Sequence, residues 1–179
     1  MLVLVVGPSG AGKDTLINAA KAALAEDTSF VFPRRVVTRQ AVASLEDHDS
    51  VSEEEFAKAE AAGAYALSWS AHGLRYGLPA SLSADLAAGK TVVFNASRAM
   101  VATAMERFPG TRVILVEATT DVRARRLSGR GRETEAEVAA RLTREVPAAL
   151  PDAIRIDNSG ILDDGIARFV GALHRLAKD

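Results

Sequence analysis

The chain has 179 residues, 48% of them hydrophobic and 25% charged, and 22 Lys plus Arg against 23 Asp plus Glu leave a net charge of −1. That length suits one domain burying roughly two-thirds of its unfolded surface, and near-neutral charge excludes a protein that grips duplex nucleic acid by its overall field. The absence of cysteine excludes disulfide scaffolds, thiolate zinc sites and cysteine nucleophiles; with no apolar run near the roughly 20 residues of a membrane span, a cytoplasmic globule without membrane or nucleic-acid partners is expected.

Leu2 to Val6 is an unbroken β-branched and leucine run, the pattern of a strand buried on both faces of a parallel sheet. A glycine-rich stretch follows. Lys13 to Ala25 then carries a helical apolar stripe at Leu16, Ala20, Ala23 and Leu24. Short strands are expected at Phe30–Phe32 and Arg35–Val37, interrupted by Pro33, and Gln40 to Ser50 reads as a loop. Ser52 with Glu55 fits a capping box opening a helix that stops at Gly63. A strand or hairpin over Tyr65–Leu74 and a helix over Pro79–Ala88 come next. Thr91–Phe94 reads as a buried strand, Ser97 as the cap of a helix to Arg107, and Thr111–Glu117 as a further strand.

A helix from Thr120 to Leu127 ends in Ser128-Gly129-Arg130-Gly131-Arg132, and a second capping box, Thr134 with Glu137, opens a helix to Arg144. Ala153–Ile156 forms the last strand and Ile161–Ala177 the last helix. Strands alternating with helices from the N-terminus indicate an α/β fold around a mostly parallel central sheet, with no repeat or linker to divide residues 1–179 into two domains.

Gly7-Pro8-Ser9-Gly10-Ala11-Gly12-Lys13 has the spacing of a nucleotide phosphate loop, placed between a buried strand and a helix as that chemistry needs. Glycines let consecutive N–H groups curl inward around anionic oxygens, and the helix N-terminus adds partial positive charge. Lys13 is positioned to follow negative charge on the β- and γ-phosphates during transfer. After the loop lysine, Asp14 and then Thr15 stand where a Ser or Thr usually ligates magnesium. Two roles stay open for Asp14: a Mg²⁺ ligand, direct or through one water, or a negative charge favoured by the first helical turn.

Seven arginines, at 123, 125, 126, 130, 132, 141 and 144, bracket the Ser-Gly-Arg-Gly-Arg turn. Such density fits an Arg-rich lid, over about residues 123–144, closing on a triphosphate and excluding water. The other reading is a solvated helix face paired with Glu133, Glu135, Glu137 and Glu145, which suits Arg123 and Arg144 best.

The phosphate loop, Val51-Ser52-Glu53-Glu54-Glu55-Phe56, Tyr76-Gly77 and Gly129-Arg130-Gly131 with Glu133-Thr134-Glu135 together resemble the guanylate-kinase-like family of P-loop kinases over nearly the whole chain. The resemblance implies an acceptor-binding insertion at about residues 34–78. It places the family's three lid arginines on Arg126, Arg130 and Arg141, which clamp the triphosphate, and Asn158 near the adenine. The acceptor half departs from guanine readers: Leu67 and the Asn95–Ser97 stretch stand where those use acidic side chains. A leucine cannot accept from guanine, and each unpaired buried polar group costs about 1–3 kcal/mol.

Lys13-Asp14, Val37-Thr38-Arg39, Glu46-Asp47-His48, Leu67-Ser68-Trp69, Ala71-His72-Gly73-Leu74-Arg75-Tyr76-Gly77 and Asn95-Ala96-Ser97-Arg98 are similar instead to the ribose 1,5-bisphosphate phosphokinases, a branch linked to phosphonate breakdown. Gln40 and Ala96 replace the Pro and Gly expected there. This resemblance implies transfer of the γ-phosphoryl group of ATP, with Mg²⁺, to the 1-phosphate of ribose 1,5-bisphosphate. An acceptor with two phosphates and no base needs arginine forks and a few neutral donors. Arg39, Arg75, Tyr76 and Arg98 are the candidates for gripping phosphate, with His48 and His72 as secondary donors and Asn95 and Ser97 for ribose hydroxyls; Tyr76 and Trp69 also fit a core aromatic role. Two rivals remain: a guanylate kinase, and a non-catalytic binding module of the same fold. The oligomeric state is left open.

Overall fold

The computed structural model of the protein describes residues 1–38, 48–71, 73–129, 142, 150 and 152–178. Strand β1 (Leu2–Val6) is buried along its whole length, which its uniformly apolar sequence requires. It lies between β7 (Thr91–Asn95) and β8 (Arg112–Glu117), both parallel to it. β2 (Phe30–Val31) and β9 (Ile154–Asp157) complete a five-stranded parallel sheet in the order β2-β7-β1-β8-β9.

Alternate side chains of β1 feed two cores, as strand geometry dictates. Val3 and Val5 pack with Leu16, Ile17 and Ala20 of helix α1 (Lys13–Ala23) and with Phe169, Ala172 and Leu173 of the C-terminal helix α6 (Leu162–Leu176). Leu2, Leu4 and Val6 pack with Leu82 of α3 (Ser81–Ala87) and with Val101 and Ala104 of α4 (Val101–Arg107). Helix α5 (Thr120–Ser128) follows β8 and sends Leu127 into the interior.

A second sheet, ordered β4-β3-β6-β5, is built from β3 (Arg35–Val37), β4 (His48–Ser50), β5 (Tyr65–Ala71) and β6 (Leu74–Pro79). Ala66, Leu67 and Leu78 tie it to the second core. Between β4 and β5, helix α2 (Glu53–Ala61) opens on the expected capping box: Ser52 Oγ accepts from the Glu55 amide at 3.1 Å, and Glu55 accepts from the Ser52 amide at 2.8 Å.

Several expectations shift. The three-residue stretch His48–Ser50, read as loop, pairs in parallel with β3, because it takes its order from a neighbouring backbone rather than from an apolar pattern of its own. The helix expected from Pro79 starts at Ser81, since Pro79 still belongs to β6. Ser97 caps a 3₁₀ turn, Arg98–Met100, before α4 begins. The helix expected over residues 134–144 lies outside the described residues.

Candidate active site

β1 ends at Val6, and the loop Gly7–Gly12 turns the chain into α1. Glycines there are required sterically. A Cβ on Gly7 (φ 150°) would strike the Val116 carbonyl oxygen of β8, and one on Gly12 (φ 92°) would strike the Asn158 side-chain amide. Lys13 folds back over the loop, its Nζ donating to the Gly7 carbonyl at 2.8 Å and the Pro8 carbonyl at 3.3 Å. Asp14 and the exposed Thr15 follow in the first turn of α1.

Arginines hold the loop from outside. Arg126 of α5 donates to the Ala11 carbonyl at 3.3 Å and to the Asn158 carbonyl at 2.9 Å. Arg123, one turn earlier on the same helix, donates from Nε to the Ser9 carbonyl at 2.9 Å. Arg123 thus differs from the solvated face expected of it: its side chain is bonded to the loop tip and only 9% exposed. Its spacing from Arg126 was the available signal, because residues three apart share a helix face.

Asn158 stands just past the end of β9. It is 1% exposed, and its side-chain amide donates to the Ala11 carbonyl at 2.8 Å. The side chain therefore braces the loop from beneath.

On the opposite flank, Asn95 at the end of β7 donates to Asp14 Oδ1 at 2.6 Å. This contact unites the carboxylate after the loop lysine with a residue expected at the acceptor. A cleft beside it is lined by Asp14, Asn18, Lys21, Phe32, Arg35 and Asn95; Lys21 and Arg35 were not among the residues expected from sequence. Two helix turns from Asp14 and a strand adjoining Pro33 bring them there, and no local motif marks them. The Asp14 carboxylate suits Mg²⁺ chemically, since that ion takes one or two carboxylates together with phosphate oxygens and waters. Among the described residues no group of three or more acidic or histidine side chains could hold a metal by itself.

The remaining acceptor candidates divide. Arg98 starts the turn after β7, and its Nη1 is buried with no hydrogen-bond partner; burial, and then the neighbouring Arg123 charge, lower its pKa from the ordinary guanidinium value. Arg75 differs from expectation: its guanidinium pairs with Glu60 and lies 4.5 Å over the Phe56 ring, so a phosphate would have to displace a carboxylate already in place. The Ser68 hydroxyl first, and Arg75 after it, hold Glu60 below the usual carboxylate range despite opposing desolvation. Tyr76 stacks on Trp69 across β5 and β6, with centroids 5.2 Å apart. Ser97 Oγ is engaged in accepting from the Ala99 amide at 3.3 Å. His48 sits at the start of β4, its Nδ1 buried without a partner.

Leu67 lies in β5. It is 3% exposed and belongs to the second core, while the next residue, Ser68, faces outward. Strand alternation puts Ser68 on the accessible side, so Leu67 takes no part in reading an acceptor. Arg39, His72, Arg130 and Arg141 lie outside the described residues.

Buried strand, glycine loop, helix-initial lysine and flanking arginines define a P-loop phosphotransferase fold. A guanylate kinase from Anaplasma phagocytophilum has the same fold, with a TM-score of 0.73 at 20% identity, covering 99% of this chain and 87% of that one. No family model matches. A ribose 1,5-bisphosphate phosphokinase of Brucella melitensis is 46% identical over 177 residues, covering 98% of this chain and 92% of the relative. Its counterpart from Methylobacterium radiotolerans is 49% identical over 174 residues, with 96% of each chain covered. The chain belongs to the ribose 1,5-bisphosphate phosphokinase family. Among the described residues no helix is long and apolar enough to cross a membrane.

Proposed function

We propose that the protein transfers the γ-phosphoryl group of ATP to the 1-phosphate of ribose 1,5-bisphosphate, giving 5-phospho-α-D-ribose 1-diphosphate and ADP. The observation that carries this reading is near-half identity, over almost the full length, to enzymes named for that reaction. The site chemistry supports it. An anionic oxygen of the acceptor 1-phosphate attacks the γ-phosphorus, the bond to the β–γ bridging oxygen breaks, and ADP leaves with that electron pair. The attacking oxygen carries no proton, so no general base is needed, and positioning with electrostatic stabilisation does the catalysis.

In this mechanism the inward N–H groups of residues 7–13 cradle the donor phosphates. Lys13 exchanges its contacts with the Gly7 and Pro8 carbonyls for phosphate oxygens. Asp14, oriented by Asn95, would hold Mg²⁺, which when bound neutralises charge between the β- and γ-phosphates. The Asn158 side chain keeps the Ala11 carbonyl turned outward, and Arg126, Arg130 and Arg141 form the lid that clamps the triphosphate. Arg98, Asn95 and Arg39 belong to the acceptor side, within a single domain whose second sheet is the acceptor-binding region.

The test is a comparison of acceptors with ATP and Mg²⁺, products being followed by phosphorus NMR. Ribose 1,5-bisphosphate should yield the coupled pair of signals of a new diphosphate ester. Efficient use of GMP with no use of the sugar bisphosphate would refute the reading.

A further inference from the structure

Two guanidinium groups beside the phosphate loop carry buried donors that none of the described residues accepts. Nη2 of Arg123 and Nη1 of Arg98 are both buried without a hydrogen-bond partner. Arg123 is only 9% exposed and is anchored through Nε to the Ser9 carbonyl at the loop tip. Arg98 lies three residues beyond Asn95, which holds Asp14. The two arginines are near enough for the charge of Arg123 to depress the pKa of Arg98 after burial has done so, and among the described residues no carboxylate pairs with either.

A buried cation is expensive unless paired, and two neighbouring cations with orphaned donors are more so. A fork of this kind is complete only when an anion accepts from both. We infer that Arg98 and Arg123 form a phosphate-binding fork at the flank of the phosphate loop, built to take a phosphate dianion from the acceptor or from solution. The inference deepens the phosphoryl-transfer reading and rests on it for the acceptor as source; Arg123 is the residue it adds.

The test uses the full chain with the phosphate loop filled by a non-hydrolysable ATP analogue, and inorganic phosphate as the probe in calorimetric titration. Arg98→Met and Arg123→Leu should each weaken phosphate binding about tenfold or more, the equivalent of a charge-assisted hydrogen bond. Arg98→Lys and Arg123→Lys should restore part of it, since a point charge replaces a planar fork. Without ligand, Arg98→Met should melt no lower than the wild type, because an unpaired buried charge is gone; an arginine with a merely structural role would lower the melting temperature. If Arg123→Leu fails to fold, Arg98→Met, at a partly exposed position, decides the matter.

Steady-state kinetics separate the sources. A rise of about tenfold in the KM for ribose 1,5-bisphosphate, with the KM for ATP within about twofold, identifies the acceptor phosphate. Loss of inorganic phosphate binding with both KM values unchanged identifies free phosphate. Unaltered phosphate affinity in Arg98→Met with unchanged KM values overturns the fork. If wild-type protein never uses ribose 1,5-bisphosphate, the functional reading falls, and the phosphate titration still decides the fork by itself.

Discussion

Replacing Arg126 by alanine tests whether this arginine works only on bound nucleotide or also holds the empty loop. Its guanidinium spans the Asn158 carbonyl at 2.9 Å and the Ala11 carbonyl at 3.3 Å. A hydrogen bond from a charged donor contributes about 1.5–3 kcal/mol. The longer contact lies past the usual limit of about 3.2 Å and counts for little. Ala11 also keeps its donor from the Asn158 side chain. The carbonyl of Asn158, in a residue 1% exposed, loses the donor that Arg126 supplies.

The net loss is therefore about 2 kcal/mol, most of it from one contact. For a chain of this size that corresponds to a fall of about 4–8 °C in melting temperature. The assay is thermal and urea denaturation of the ligand-free protein, where an unchanged urea slope shows that the surface exposed on unfolding is the same. Arg126→Lys should recover less than half of the loss, because one ammonium cannot reach both carbonyls in the plane of a fork. A melting temperature within about 1 °C of wild type for Arg126→Ala, beside a large fall in turnover, would refute the bracing role and leave only a role toward nucleotide.

Gly12→Ala forces a side chain into left-handed backbone (φ 92°) and against the buried Asn158 amide; conformational strain plus the lost bond to Ala11 should cost roughly 2–3 kcal/mol by urea denaturation, with weaker ATP binding. Lys13→Ala should lower kcat by about 10²–10³-fold while the ligand-free protein keeps its far-ultraviolet circular dichroism, whereas near-normal turnover would contradict the mechanism. Asp14→Ser should raise the Mg²⁺ concentration for half-maximal activity about tenfold or more, and unchanged metal affinity and turnover would assign Asp14 to helix electrostatics alone. Glu60, held below the ordinary carboxylate value of 4.5 first by Ser68 and then by Arg75, contributes stability that is fully present above that value and lost as pH falls through its lower folded value. The melting-temperature gap between wild type and Glu60→Gln should hold steady from about pH 7 to pH 5 and close at lower pH; a gap that widens in acid would reverse the sign and the argument.

Local patterns made much of the fold legible. Leu2–Val6 could only be a strand covered on both faces, the 7–13 loop could only join strand to helix, and Ser52 with Glu55 marks the start of α2 to the residue. The apolar spacing of Phe169, Ala172, Leu173 and Leu176 likewise places one face of α6 against the sheet. What was not legible depends on partners distant in sequence. His48-Asp49-Ser50 is polar throughout and becomes a strand only because β3 offers a backbone edge. Arg75 looks like a free phosphate fork until the fold brings Glu60 and Phe56 to it. Leu67 and Ser68 are neighbours whose roles exchange with a one-residue change of strand phase, and only the packing of β5 on the second core decides the phase.

The arginines follow the same logic at the site itself. A phosphate loop turns its N–H groups inward, and its carbonyl groups must then turn outward into the surrounding protein. Here those carbonyls are met by side chains: Gly7 and Pro8 by Lys13, Ser9 by Arg123, and Ala11 by both Arg126 and Asn158. Every one of these donors except Asn158 is cationic, so the side chains that fix the loop's shape also supply its positive field. Pre-set donors need little reorganisation when the anion arrives, which is where electrostatic catalysis gains most. Charge count alone hides this division of labour. Arginine density around residues 123–126 reads as a lid for nucleotide, yet in the folded protein two of those arginines grip the loop before any nucleotide binds. Removing either should therefore loosen the empty protein as well as slow the reaction, unless the charge it removes was buried without a partner. Arg123 meets both conditions: Nε braces Ser9 while Nη2 is unanswered. Its replacement by leucine should consequently change ligand-free stability less than that of Arg126 by alanine, although Arg123 is the more buried of the two.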